Sequence, residues 1–179
     1  MKSLREMSIG ELAAHVAEHL HQNGISVVLT GGSCVSIYTD NRYQSYDLDF
    51  IEEGSSGRKK IAGILMTFGF QEKDRYFIHP DTPFFVEFPS GPLAIGDEPV
   101  REVAKLVFAT GSLRLLSPTD CVKDRLAHYY HWKDRQCLDQ AIMVAAASEV
   151  DLGEIERWSR NEGMVEEFQR IRAQLQAAT

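Results

Sequence analysis

Residues 45–51 read SYDLDFI, where Tyr46, Leu48 and Phe50 alternate with Asp47 and Asp49. A period of two is the pattern of a β-strand that buries one face, so both carboxylates project from the same side of the chain. Two like charges held so close repel each other, and one pKa must rise unless a cation sits between them. A divalent metal is the natural solution. Magnesium prefers oxygen ligands and keeps positions open for substrate phosphates, and two metals clamp the attacking and leaving oxygens of an in-line displacement at phosphorus.

The stretch before this strand supplies a matching half. ISVVLT (residues 25–30) is a short β-branched run bounded by glycines, which predicts a buried strand. Gly31 and Gly32 follow, then SCVSIYTD, about two turns of helix. Glycine admits unusual dihedrals and lets a phosphate approach backbone N–H groups. A helix starting here aims its amino end at the same anion, with the Ser33 hydroxyl as a further donor. Gly31, Gly32 and Ser33 are therefore expected to seat a triphosphate whose metal Asp47 and Asp49 hold.

The segment TGGSCVSIYTDNRYQSYDLDF resembles the nucleotidyltransferase signature of the DNA polymerase beta superfamily. That signature is a hydrophobic residue, Gly, then Gly or Ser, a spacer, and Asp, a hydrophobic residue, Asp or Glu, and another hydrophobic residue. Here Gly32 and Ser33 are followed by thirteen residues and then Asp47, Leu48, Asp49 and Phe50. The resemblance implies Mg2+ or Mn2+ as cofactor, an NTP as substrate, and a third carboxylate on a neighbouring strand. Glu87, a lone acid inside the apolar run FFVEFP, is the residue for that role, since a carboxylate in such a strand is costly to bury unless paired or liganding. LSPTDCVKDRLAHYYHWKDRQCLDQA (116–141) looks like a stretch of abortive-infection-type nucleotidyltransferase toxins. Lys123 falls at the lysine position, which implies a nucleotide phosphate ligand, and Asp139 at the final aspartate. Arg135 and Gln136 stand where Arg-Asp is usual, and Gln136 departs from that pattern. The resemblance spans about residues 24–142.

The remaining chain is read from periodicity. Ser8 to Asn23 carries a helical apolar stripe with a capping box and a Gly24 stop. RKKIAGILMTFG predicts a helix, and FQEKDRYFIH and FFVEFP predict two strands. Residues 98–116 stay open: VREVAKLVFA allows a helix, whereas TGS followed by LRLLS suggests a strand or hairpin. Ser117, Pro118 and Asp120 open a helix. From 118 to 176 four helical segments are expected, broken near Trp132, Ser148–Asp151 and Asn161–Gly163. The fold class is α/β (α+β): a short mixed β-sheet flanked by helices (1–116) and a C-terminal helical bundle (117–179).

A net charge of −7 repels polyanions and argues against non-specific duplex DNA binding. The first thirty residues hold no apolar stretch fit for a signal peptide or membrane span, so a cytoplasmic protein without membrane association is expected. Three cysteines without CxxC spacing argue against a disulfide framework and a zinc knot.

The leading expectation is a metal-dependent nucleotidyltransferase that moves an NMP from an NTP to an acceptor hydroxyl on tRNA, a protein or a small molecule. The alternative is a catalytically inactive nucleotide-binding protein or toxin–antitoxin partner. A homodimer or a cognate protein partner is compatible with either. Arg125 and His131 together suggest a third reading, a helical ribonuclease, which chance spacing explains better. His128 and His131 lack the further ligands of a metal site.

Overall fold

The computed structural model describes residues 2–178. Helix α1 (Ile9–Gln22) starts at Ser8, whose hydroxyl accepts from the Glu11 N–H while the Glu11 carboxylate accepts from the Ser8 N–H. Its stripe of Leu12, Ala13, Val16 and Leu20 is buried. After Gly24 come β1 (Val27–Thr30), α2 (Gly31–Tyr38), β2 (Asp47–Glu52) and α3 (Arg58–Met66). Next are β3 (Gln71–Lys73), β4 (Tyr76–Ile78), β5 (Phe85–Glu87), β6 (Ala94–Ile95) and β7 (Glu98–Pro99). Strands β8 (Val103–Phe108) and β9 (Gly111–Leu116) complete this part of the chain.

Seven strands form one mixed sheet in the order β3-β4-β5-β2-β1-β9-β8. β1 runs antiparallel to β2 and parallel to β9, while β2 runs parallel to β5. The sheet and its helices match the α/β class read from the sequence. Leu48 and Phe50 of β2 are fully buried and Asp47 and Asp49 only partly so, as the alternation requires.

One local expectation changes, and one left open is decided. Residues 70–79 are not one strand but the hairpin β3-β4, because Asp74 takes a left-handed φ of 55° and turns the chain. In 98–116 the hairpin wins over the helix: β8 and β9 pair antiparallel through the tight turn at Ala109 and Thr110. The apolar residues of β8 and β9 pack where α1 can cover the sheet, and that burial outweighs a weak helical periodicity.

The last third is helical, as expected: α4 (Pro118–Trp132), α5 (Arg135–Ala147), α6 (Leu152–Asn161) and α7 (Val165–Ala178). Ser117 caps α4 by accepting from the Asp120 N–H, and Lys133 at φ 54° ends it. Tyr130 stacks on Trp158 at 5.9 Å, and both are buried with Phe168. α2 packs against α4 and α5, so one apolar cluster runs from α1 through the sheet to Leu175 of α7. The three cysteines are free and buried. Among the described residues no helix is long and apolar enough to cross a membrane.

Candidate active site

The site grows from the break between β1 and α2. Gly31 has a φ of 73°, and a β-carbon there would lie 2.6 Å from Asp49 Oδ2. Only glycine permits both that backbone and that approach. The Thr30 hydroxyl does not cap α2; it donates to the Asp49 carbonyl oxygen at 3.2 Å and ties the turn to β2. The first N–H groups of α2 are thus left without a side-chain acceptor at the end nearest the acids.

Asp47 and Asp49 both lie on β2, and parallel pairing sets Asp49 opposite Glu87 of β5. The register therefore sets three carboxylates at adjoining positions of β2 and β5. Burial first, then the charges of Asp47 and Glu87, push Asp49 up to about 7. The Ser45 hydroxyl donates to Asp47 Oδ1, and the Ser45 N–H donates to Ser36 Oγ at 2.8 Å, fastening the strand entry to α2. Glu87 faces Arg75 across 3.3 Å, and the Arg75 guanidinium lies over the Tyr76 ring.

This donor set consists of carboxylate oxygens only, which suits Mg2+ or Mn2+. Burial and then the neighbouring carboxylates disfavour the Asp49 anion, and a cation at the acids would offset both effects. Among the described residues no three His, Cys, Asp or Glu side chains converge as they stand into a metal-holding group. The Glu87–Arg75 pair turns one of the three acids toward another cation.

Gly32 lies beneath Tyr43, whose hydroxyl would be 3.5 Å from a β-carbon there. Ser33 is fully buried, and its hydroxyl donates to the Thr30 carbonyl at 3.0 Å. Its single proton is committed within the turn. Lys123 is paired with Asp120 at 2.9 Å and Glu154 at 2.7 Å. It lines a cavity of about 900 Å3 with Glu98, Arg157 and Trp158, and none of Gly31, Gly32, Asp47, Asp49 and Glu87 lines that cavity. The lysine is not brought together with the acids.

Another cation on α4 is. Arg125, only 8% exposed, pairs with Asp124 at 2.5 Å and donates from Nη1 to Gln140 Oε1 at 3.4 Å. Its charge opposes the rise of the Asp49 pKa, whereas Asp124 adds to it. Burial and then the Asp47 charge raise the Tyr43 phenol, which also bonds Gln140. Sequence analysis named Arg125 only beside His131 in the ribonuclease reading and left out Asp124, Tyr43, Ser45 and Gln140. One signal was legible: Arg125 falls beside Cys121, Val122 and Leu126 in a buried stripe, where a free charge is costly.

The remaining α4 and α5 residues point elsewhere. His131 faces Glu162 at 3.9 Å, Arg135 faces Asp139 at 3.7 Å, and His128 Nδ1 contacts the Asp124 carbonyl at 3.0 Å. Arg125 and His131 share no partner.

No protein-family model matches the chain, and no curated protein matches it by sequence. Solved structures do match in three dimensions. A nucleotidyltransferase-like antigenic protein from Paracoccidioides brasiliensis superposes with a TM-score of 0.60 at 15% identity, over 94% of this chain and 92% of that one. The chain has a nucleotidyltransferase fold. The solution structure of the antibiotic-resistance factor ANT(2'')-Ia matches the same fold with a TM-score of 0.53 at 12% identity, covering 94% and 95% of the two chains. The crystal structure of ANT(2'')-Ia in complex with adenylyl-2''-tobramycin gives 0.52 at 13% identity, over 83% and 92%.

Proposed function

We propose that this protein is a divalent-metal-dependent nucleotidyltransferase (EC 2.7.7 type) that moves an NMP from an NTP to an acceptor hydroxyl. The observation that carries this reading is the register of Asp49 opposite Glu87 on parallel strands, with the Asp49 carboxylate packed against Gly31 at the start of α2. Asp47, Asp49 and Glu87 would hold Mg2+ or Mn2+, and the chemistry such a cation supplies is neutralisation of charge on the phosphates and the acids.

The chain's own groups account for the rest. Backbone N–H groups at Gly31, Gly32 and the first turn of α2 bind the β- and γ-phosphates. Arg125 balances the carboxylates from the helical lobe. Glu87 takes the proton of the acceptor hydroxyl. The acceptor oxygen bonds to the α-phosphorus, the bond from that phosphorus to the bridging β-phosphate oxygen breaks, and pyrophosphate leaves. Lys123, held by Asp120 and Glu154, reaches a phosphate only if those pairs open, and Ser33 only if it releases the Thr30 carbonyl.

For the acceptor, four carboxylates (Asp47, Asp49, Glu87 and Asp124) and a net charge of −7 favour an aminated small molecule over tRNA or an acidic protein. The adenylyl-2''-tobramycin complex of ANT(2'')-Ia supports the same choice and an adenylyl donor.

One observation favours a second reading. The Arg75–Glu87 pair occupies the third acid, as in a nucleotide-binding protein that has given up transfer and acts through a protein partner. Thermal unfolding with each NTP, with and without Mg2+, on the native chain and Asp47→Asn/Asp49→Asn tests nucleotide binding at this site. Transfer of label from α-labelled NTP to hydroxylated amines then separates enzyme from binder. If no NTP shifts the native protein, both readings fail.

A further inference from the structure

Helix α1 carries two histidines that the carboxylate site does not use. His15 and His19 are one turn apart, so both side chains leave the same face of the helix. Their ring centroids are 5.1 Å apart. Phe68, just beyond α3, backs both, at 5.4 Å from His15 and 4.3 Å from His19. Both histidines are partly exposed; the His19 carbonyl accepts from the Asn23 amide, and neither imidazole ring takes part in a hydrogen bond or an ion pair.

We propose that His15 and His19 form a two-histidine chelating site for a transition-metal cation of the Zn2+ class. Two histidines four residues apart on a helix present their ring nitrogens to one ion, the spacing that helical zinc motifs use. Imidazole selects Zn2+, Cu2+ or Ni2+, whereas the carboxylates of β2 and β5 suit Mg2+ and Mn2+. The two sites therefore take different metals. With no hydrogen bond to hold them, the rings are free to turn their nitrogens toward one ion, while Phe68 limits that motion on the protein side.

The neighbouring acids and histidines are otherwise engaged. Glu18 accepts from the Gln22 amide and the Ser112 N–H. His79 Nδ1 accepts from the Asp81 N–H, and His21 lies two residues from His19 on another side of the helix. The proposed site thus has two protein ligands and leaves its other positions to water, consistent with no group of three possible ligands among the described residues.

The test is calorimetric titration of ZnCl2 into the full chain without Mg2+, alongside ring-resolved NMR of the six histidines. One equivalent of Zn2+ should move the His15 and His19 resonances first. His15→Gln and His19→Gln should each weaken binding at least tenfold. His21→Gln and Asp47→Asn/Asp49→Asn should bind as the native chain does. Native-like Zn2+ binding by either histidine variant, or movement of other histidine resonances first, would overturn the assignment, and so would loss of binding in the aspartate double variant. The NMR arm reads the native chain, so it decides even where a variant folds poorly.

Discussion

Asp49 Oδ2 occupies the space that a side chain on residue 31 would need, 2.6 Å from the position of its β-carbon. The glycine turn and the acid strand are therefore one device, joined again by the bond from the Thr30 hydroxyl to the Asp49 carbonyl. Gly31→Ala should lose about 2–3 kcal/mol, part from a φ of 73° and part from displacing the carboxylate. Gly24, at φ 75° with nothing within 4 Å, is the control: Gly24→Ala should cost only about 1 kcal/mol. Urea unfolding of the two variants separates contact from backbone strain, and equal losses would remove the contact from the account.

Asp49 makes stability depend on pH in the metal-free protein. Its folded pKa of about 7 lies above the ordinary 3.8, so the folded state favours the protonated acid. That contribution is full below about 3.8 and is lost as pH rises through about 7. Asp49→Asn should match the native chain near pH 4 and exceed it at pH 8 by about 3–4 kcal/mol, on the order of 10 °C in Tm. Thermal melts in chelator at the two pH values check this, and a variant less stable at pH 8 would refute it.

Arg125 and Asp124 form a pair in the helical lobe whose side chains are 10% and 18% exposed. Arg125→Met leaves a poorly solvated carboxylate and should cost about 3 kcal/mol. Asp124→Asn/Arg125→Met should regain most of that stability and yet bind Mg–NTP more weakly, because the positive charge near Asp49 is still missing. Unfolding and NTP titration of both variants read the two effects separately; native affinity in the double variant would take Arg125 out of the site.

Arg75 is an exposed partner of Glu87, and such pairs contribute little to stability. Arg75→Ala should change unfolding by less than about 0.5 kcal/mol. Freed of its competitor, Glu87 should tighten Mg2+ binding about threefold by calorimetry. Weaker Mg2+ binding would mean that Glu87 is not a ligand.

Much of this site could be read along the chain because it is local. The period of two puts Asp47 and Asp49 on one face wherever β2 pairs, and Gly31 announces its turn by lacking a side chain. Ser8 and Glu11 mark the start of α1 by their spacing alone. Lys123 and Arg125 show the limit. They are two positions apart on α4, so they point to nearly opposite sides, and a single helical pattern contains both. The resemblance singled out Lys123, yet the packing of α4 on α2 and α5 turns Arg125 toward the acids and Lys123 toward Glu154.

By itself, then, the sequence determined the α/β-then-helical order, the glycine turn and the paired carboxylates, all of which rest on contacts within a few residues. Only the tertiary structure decided that β5 lies beside β2 in parallel with Glu87 opposite Asp49, that residues 103–116 form a hairpin, and which cation of α4 meets the site. Those outcomes depend on the apolar area each arrangement buries across the whole core, a sum over distant residues that no local pattern contains.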